Sequence, residues 1–208
     1  MAATSYHHGN LRQTLLDHGV ALARAGGPDA VVLRDVQRLA GVSNSAAYRH
    51  YADRRALLGA VQIHAMGQLG EAMREAVAAV PNRGPRDRRA LARLRATGRA
   101  YVDFALAEPG LFRTAFAKDG PDRADEDVDP SRHPFQILTG CIDDLVEVGV
   151  LSADRRAGFD EAAWAAVHGL AELFLDGPLS HAGAEEKRLI SERLLQVVED
   201  GLRSAPRA

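Results

Sequence analysis

Apolar residues recur along this 208-residue chain at three- and four-residue intervals, the spacing of one buried helical face. Breakers divide the pattern at Gly26-Gly27-Pro28, Pro81 to Pro85, Pro109-Gly110, Gly120-Pro121, Pro130, Pro134, Gly177-Pro178 and Gly183. Between them the periodicity predicts helices at roughly 10–25, 34–40, 44–50, 54–79, 88–107, 109–118, 133–149, 158–176 and 184–203. Strand-like alternation is nearly absent, and the β-branched pair Val31-Val32 is too short to found a sheet. The expected class is all-α with about nine helices: an N-terminal three-helix domain over 1–55, then a helical bundle over 56–208.

Two of the short helices share a motif. Arg34-Asp-Val-Gln-Arg-Leu-Ala40 meets Gly41-Val42-Ser43 and then Asn44-Ser-Ala-Ala-Tyr-Arg-His50. Gly41 can end the first helix in the left-handed conformation, Val42 can plug the corner, and Ser43 can cap the second helix. Val36, Leu39 and Ala40 are expected to bury against Leu15, Leu16 and Val20, with Ala46 and Ala47 small enough for a close crossing. This is a helix-turn-helix pattern. It leaves Asn44, Ser45, Tyr48 and Arg49 on the outer face of the second helix, where a major groove would meet them. A plain αα-corner is the alternative, so charge matters here.

Net charge over the whole chain is only −2, from 26 Lys+Arg against 28 Asp+Glu. Its distribution says more: residues 1–60 hold seven Arg and four Asp, a net of +3, which leaves −5 for the remainder. Nearly all the cationic charge is arginine, since Lys118 and Lys187 are the only lysines. Arginine's rigid donor fork suits phosphates and guanine edges. Position along the second helix then divides the roles. Asn44, Ser45 and Arg49 are expected to reach base edges, and Tyr48, His50 and Arg54 to hold phosphates.

The stretch Tyr48-Arg49-His50-Tyr51-Ala52-Asp53-Arg54-Arg55-Ala56-Leu57-Leu58, following Gly41-Val42-Ser43, resembles the TetR family of transcriptional repressors. Tyr51 stands where that family's pattern has phenylalanine, and Arg54 where it has lysine. The lead-in Tyr6-His7-His8-Gly9-Asn10-Leu11-Arg12 is similar to one found in part of the family. Farther along, the segment from Arg99 to Phe116 and the run Trp164 to Gly169 are similar to the C-terminal domain of a subgroup named for its Trp, His and Gly. Two departures stand out: Val32 occupies a position usually held by Ser or Thr, which removes an N-cap, and Gln37 replaces a usual alanine. The resemblance implies a ligand-responsive repressor that binds a palindromic double-stranded DNA operator as a homodimer, with a small-molecule effector and no cofactor.

For the dimer, the amphipathic helices at 158–176 and 184–203 are the expected contact, with Ala162, Ala166 and Leu170 on one and Leu189, Leu194, Leu195 and Val198 on the other. For the effector, Tyr101, Phe104, Phe112 and Phe116, together with Leu138, Trp164 and His168, can either line a pocket or fill a core, because apolar ligands and packing use the same side chains. His168, one turn after Trp164, reads first as a hydrogen-bonded core histidine and otherwise as facing the cavity.

Other residues exclude more than they suggest. The competing classes, an all-α enzyme or a helical adaptor, lack support from any Ser/His/Asp order, phosphate loop or paired metal ligands, so neither catalytic nor metal residues are expected. His7-His8 read as part of an arm approaching DNA, since adjacent side chains diverge and no third ligand is near. The six carboxylates of 119–130 lack the glycine and terminal glutamate of a calcium loop and read as a solvated loop. Cys141, the lone cysteine, has apolar flanks and reads as buried filler. Neither a signal peptide nor an 18-residue apolar run is visible, which predicts a soluble, cytoplasmic protein without membrane association.

Overall fold

A computed structural model of the protein describes residues 11–120 and 127–203. Among them lie nine α-helices and no strand: α1 (Leu11–Gly26), α2 (Leu33–Ala40), α3 (Asn44–Tyr48), α4 (Arg54–Ala78), α5 (Arg86–Ala107), α6 (Pro109–Ala115), α7 (Pro134–Glu147), α8 (Phe159–Leu175) and α9 (Ala184–Arg203). Three single 3-10 turns join them at Pro28–Ala30, Pro130–Arg132 and Ala153–Arg155. The all-α expectation holds, with α3 and α6 ending earlier than the periodicity suggested. The lead-in Tyr6 to Asn10, with His7 and His8, and much of the acidic stretch lie outside the described residues.

The chain forms two compact units, which interleave in sequence rather than parting at 55/56. Of the described residues, the first comprises those up to 66 with 108–120 and 127–128, the second 67–107 with 129–203. In the first, α1 buries Leu15, Val20 and Ala23 and packs on both α2 and α6, α2 burying Leu33, Val36 and Ala40. Those α2 positions, with buried Gln37, follow strict i, i+3, i+4, i+7 spacing. Leu39, expected inside, stands roughly a third of a turn away from that stripe and is 45% exposed.

The segment carrying α6 joins this unit by a close approach. A side chain at Gly110 would collide with the carbonyl oxygens of Ala23 and Arg24 at the end of α1, so only glycine lets α6 lie there. Beside it, Arg24 Nε donates to Glu108 Oε2 at 2.8 Å. The chain after α6 is tied to α4: Gln62 Nε2 donates to the Ala117 carbonyl at 2.7 Å, and Arg55 Nε to that of Gly120 at 3.1 Å.

In the second unit α5 is the central element, packed by α7, α8 and α9. Its core gathers Leu91, Leu94, Ile142, Leu145 and Leu151. Cys141 is buried there, and burial pushes its thiol up to about 11, so it is protonated at neutral pH. A polar seam closes α5 on α9: Arg95 donates to Glu199 at 2.7 Å and to Gln196 at 2.9 Å, and Arg99 to Glu192 at 2.8 Å. Between α7 and α8, Arg156 bridges Asp143 at 2.9 Å and Asp160 at 2.6 Å.

Candidate nucleic-acid interface

The corner between α2 and α3 is built from three adjacent residues with separate jobs. Gly41 sits at φ 66°, ψ 30°, the left-handed conformation, and its amide closes onto the last turn of α2. Val42 is half-buried between the helices. Ser43 is extended, and its hydroxyl accepts from the Ala46 amide at 3.3 Å, capping α3. At the other end of the motif α2 begins on Val32, whose side chain offers no cap.

Since α3 has only five residues and buries Ala47 completely, its remaining surface is turned outward. Asn44, Ser45, Tyr48 and Arg49 are all exposed, Tyr48 by 52%, and none has a side-chain partner among the described residues. His50 is half-buried at the end of the motif. Amide, hydroxyl, phenol and guanidinium together supply donors and acceptors for both base edges and phosphates.

Arg54, grouped with them by sequence, is held differently. Its Nε donates to the Val31 carbonyl at 3.0 Å and its Nη2 to the Pro28 carbonyl at 2.8 Å, with Asp29 Oδ1 at 4.0 Å. The guanidinium thus pins the 3-10 turn before α2 to the start of α4. Tyr51 plays a comparable part inside. It is buried, its hydroxyl donates to the Arg12 carbonyl at 3.3 Å, and the Arg12 guanidinium lies 4.9 Å from its ring centre. Burial raises its phenol above the ordinary value, with Arg12 opposing. One more exposed cation of the motif, not among the residues assigned from sequence, is Arg34 in the first turn of α2. The basic bias of the first sixty residues was its only signal.

The seven residues singled out for an effector fall in both units. Phe112 and Phe116 belong to the first, with ring centres 5.0 Å apart. In the second, Tyr101, Leu138 and Trp164 share the wall of an apolar cavity of about 30 Å³ with Met73, Leu94 and Leu195. His168 lies behind that wall: its Nδ1 is 2.8 Å from the Tyr101 hydroxyl, and its ring stacks on Trp164 at 6.5 Å. Burial lowers the imidazole's pKa, with Glu172 opposing, and raises that of the Tyr101 phenol, so the pair is neutral. Phe104 is half-buried and does not reach the cavity.

Comparison with known families decides what this scaffold is. Residues 15–61 match the bacterial regulatory proteins of the tetR family, and residues 94–198, half of the chain, match the Tetracyclin repressor-like C-terminal domain. The chain belongs to the TetR family. It is accordingly a TetR-family transcriptional regulator, and the N-terminal match runs from α1 through the helix-turn-helix into α4. Membership implies a regulator rather than an enzyme. Solved structures show the same fold. A protein of unknown function from Rhodococcus sp. RHA1 is 26% identical with a TM-score of 0.73, covering 97% of each chain. A tetR-family regulatory protein from Rhodococcus RHA1 is 16% identical with a TM-score of 0.62, over 94% of this chain and 98% of that one. The TetR-family regulator PfmR from Thermus thermophilus is 16% identical with a TM-score of 0.58, over 95% and 98%. No curated protein matches the chain. Among the described residues no helix is long and apolar enough to cross a membrane.

Proposed function

We propose that the protein is a ligand-responsive repressor that binds a palindromic DNA operator as a homodimer. The observation that carries this reading is the outer face of α3, where Asn44, Ser45, Tyr48 and Arg49 stand exposed without side-chain partners among the described residues on a helix capped at its start by Ser43. Polar side chains held out on so short a helix suit an external partner with donors and acceptors of its own. Asn44, Ser45 and Arg49 are assigned to base edges, Tyr48 and His50 to phosphates. Arg54 acts chiefly by holding the motif's backbone and only secondarily through its charge.

A second copy is assigned to the outer faces of α8 and α9. Leu170 and Leu195, counted toward this contact by periodicity, are buried in their own unit. Ala166, Leu194 and Val198 are half-buried, and what stands exposed is Ala162 and Leu173 on α8 with Leu189 and Val197 on α9, the last two 62% and 59% exposed. Isologous pairing of this face would present two α3 helices to a two-fold symmetric site.

The effector is assigned to the cavity beside Tyr101 and Trp164. At about 30 Å³ it is far below the ~300–1,000 Å³ of ordinary ligand pockets. A ligand must therefore displace its walls, and a state with displaced walls is a different conformation. That requirement couples binding to regulation, since a ligand shifts an equilibrium only by its difference in affinity between states. Duplex-binding measurements over a salt series, with light scattering on the same samples, test the proposal. Affinity that falls steeply with salt and a dimer mass are expected; salt-insensitive binding or a monomer with full operator affinity would refute it.

A further inference from the structure

The second unit carries a basic stretch for which DNA reading by α3 has no use. From Arg83 to Arg93 the chain holds five arginines, Arg83, Arg86, Arg88, Arg89 and Arg93, against the single carboxylate of Asp87. Three of them, Arg86, Arg89 and Arg93, are spaced by three and four residues and so share one face at the start of α5. With Asp144 and Glu147 of α7 they line a polar cleft of about 100 Å³.

The carboxylates of the cleft satisfy only two of those cations. Arg86 pairs with Glu147 at 2.7 Å and Arg93 with Asp144 at 3.2 Å. Arg89 has no carboxylate among the described residues, and its Nη1 donates to the neutral side-chain oxygen of Asn82. Three guanidinium groups against two carboxylates leave the cleft with one net positive charge. In addition, the Nε atoms of both Arg89 and Arg93 are buried without a hydrogen-bond partner among the described residues. A buried donor on a charged group is costly to leave unmatched, and a guanidinium presents Nε–H and a neighbouring N–H as a fork fitted to two oxygens of one anion.

We propose that this cleft binds a small oxyanion, a phosphoryl or carboxylate group of a soluble ligand, with Arg89 as the principal contact and Arg93 as the second. Its small concave volume suits such a group rather than a nucleic-acid backbone, which would meet an open surface. The site shares no lining residue with the apolar cavity near Trp164.

The full chain can be titrated calorimetrically with inorganic phosphate and separately with acetate, with sodium chloride holding ionic strength constant. Saturable binding of either anion is expected; phosphate alone marks a phosphoryl site and acetate alone a carboxylate site. Arg89→Gln should weaken the affinity roughly tenfold or more, whereas exposed Arg83, outside the cleft, should tolerate Arg83→Gln without change. Arg93→Lys keeps the charge beside Asp144 but removes the fork, so it should weaken binding while melting stays within a degree or so of the parent. Heats indistinguishable from the chloride control, or equal affinity in Arg89→Gln, would overturn the proposal. Loss of duplex-DNA retention in Arg89→Gln, with no binding of either small anion, would overturn it in favour of a nucleic-acid surface.

Discussion

Helix α3 and the seam between α5 and α9 treat polar side chains in opposite ways. On α3, Asn44, Ser45, Tyr48 and Arg49 stand exposed with nothing of their own chain to bind. On α5, Arg95 and Arg99 reach across to Glu192, Gln196 and Glu199, where the Glu199 side chain keeps only 11% of its surface. Both regions are rich in hydrogen-bonding groups, so composition does not separate them. Partnership does: polar groups matched inside the chain stabilise the fold, while those left unmatched on a rigid, capped helix remain for another molecule.

The largest effect expected from this contrast is on the matched side. Glu199→Ala leaves Arg95 partly buried with only Gln196 and a longer contact to Glu192, and should cost about 2–3 kcal/mol of stability, less than a fully buried pair because Arg95 keeps some exposure. Urea denaturation reads this directly, and a cost below ~0.5 kcal/mol would show the seam to be idle. Arg54→Ala tests the intermediate case. Losing two charged hydrogen bonds to the carbonyls of Pro28 and Val31 should destabilise the protein by about 1–2 kcal/mol and lower affinity for all duplexes alike. An affinity loss with unchanged stability would instead make Arg54 a phosphate contact alone. Ser43→Ala removes the α3 cap and should cost about 1 kcal/mol in the same denaturation assay, whereas Ser43→Asp should restore it.

The smallest expected effect is a pH dependence from His168. Burial depresses its pKa, so on acidification the unfolded chain takes up the proton before the folded one. Its contribution is therefore complete above the ordinary value of about 6.5 and is lost as pH falls from there toward the folded value. Asp103, whose carboxyl burial raises, acts in the opposite sense nearer the carboxylate range. Melting midpoints between pH 7.5 and 5.5 should decline, and less so in His168→Gln; an unchanged slope in that variant would mean that other groups set it.

Local chemistry was what the sequence made legible. Gly41, Val42 and Ser43 act within one or two turns of themselves, and the segments between breakers became helices close to where periodicity put them. Features that depend on distant chain were hidden. Nothing beside Arg54 indicates that its partners would be carbonyls 23 and 26 residues earlier. The breaker Pro109-Gly110 announced a helix start, but the need for glycine there comes from the end of α1. Likewise Leu39, Leu170 and Leu195 fit a periodic face, yet their burial depends on which neighbour each helix meets. The aromatic cluster was ambiguous for the same reason, and its division between two units, with a cavity of about 30 Å³, is a matter of packing rather than composition.

The central claim is that the exposed face of α3 reads DNA. Binding-site selection from a randomised duplex pool, run on the parent and on Asn44→Ala at equal salt, tests it most directly. The account predicts enrichment of a two-fold repeated sequence by the parent, and in the variant relaxed preference of about 1–3 kcal/mol at one position of each half-site with melting unchanged. The same enriched sequence with undiminished preference in Asn44→Ala, Ser45→Ala and Arg49→Ala, or no enrichment by the parent, would contradict it.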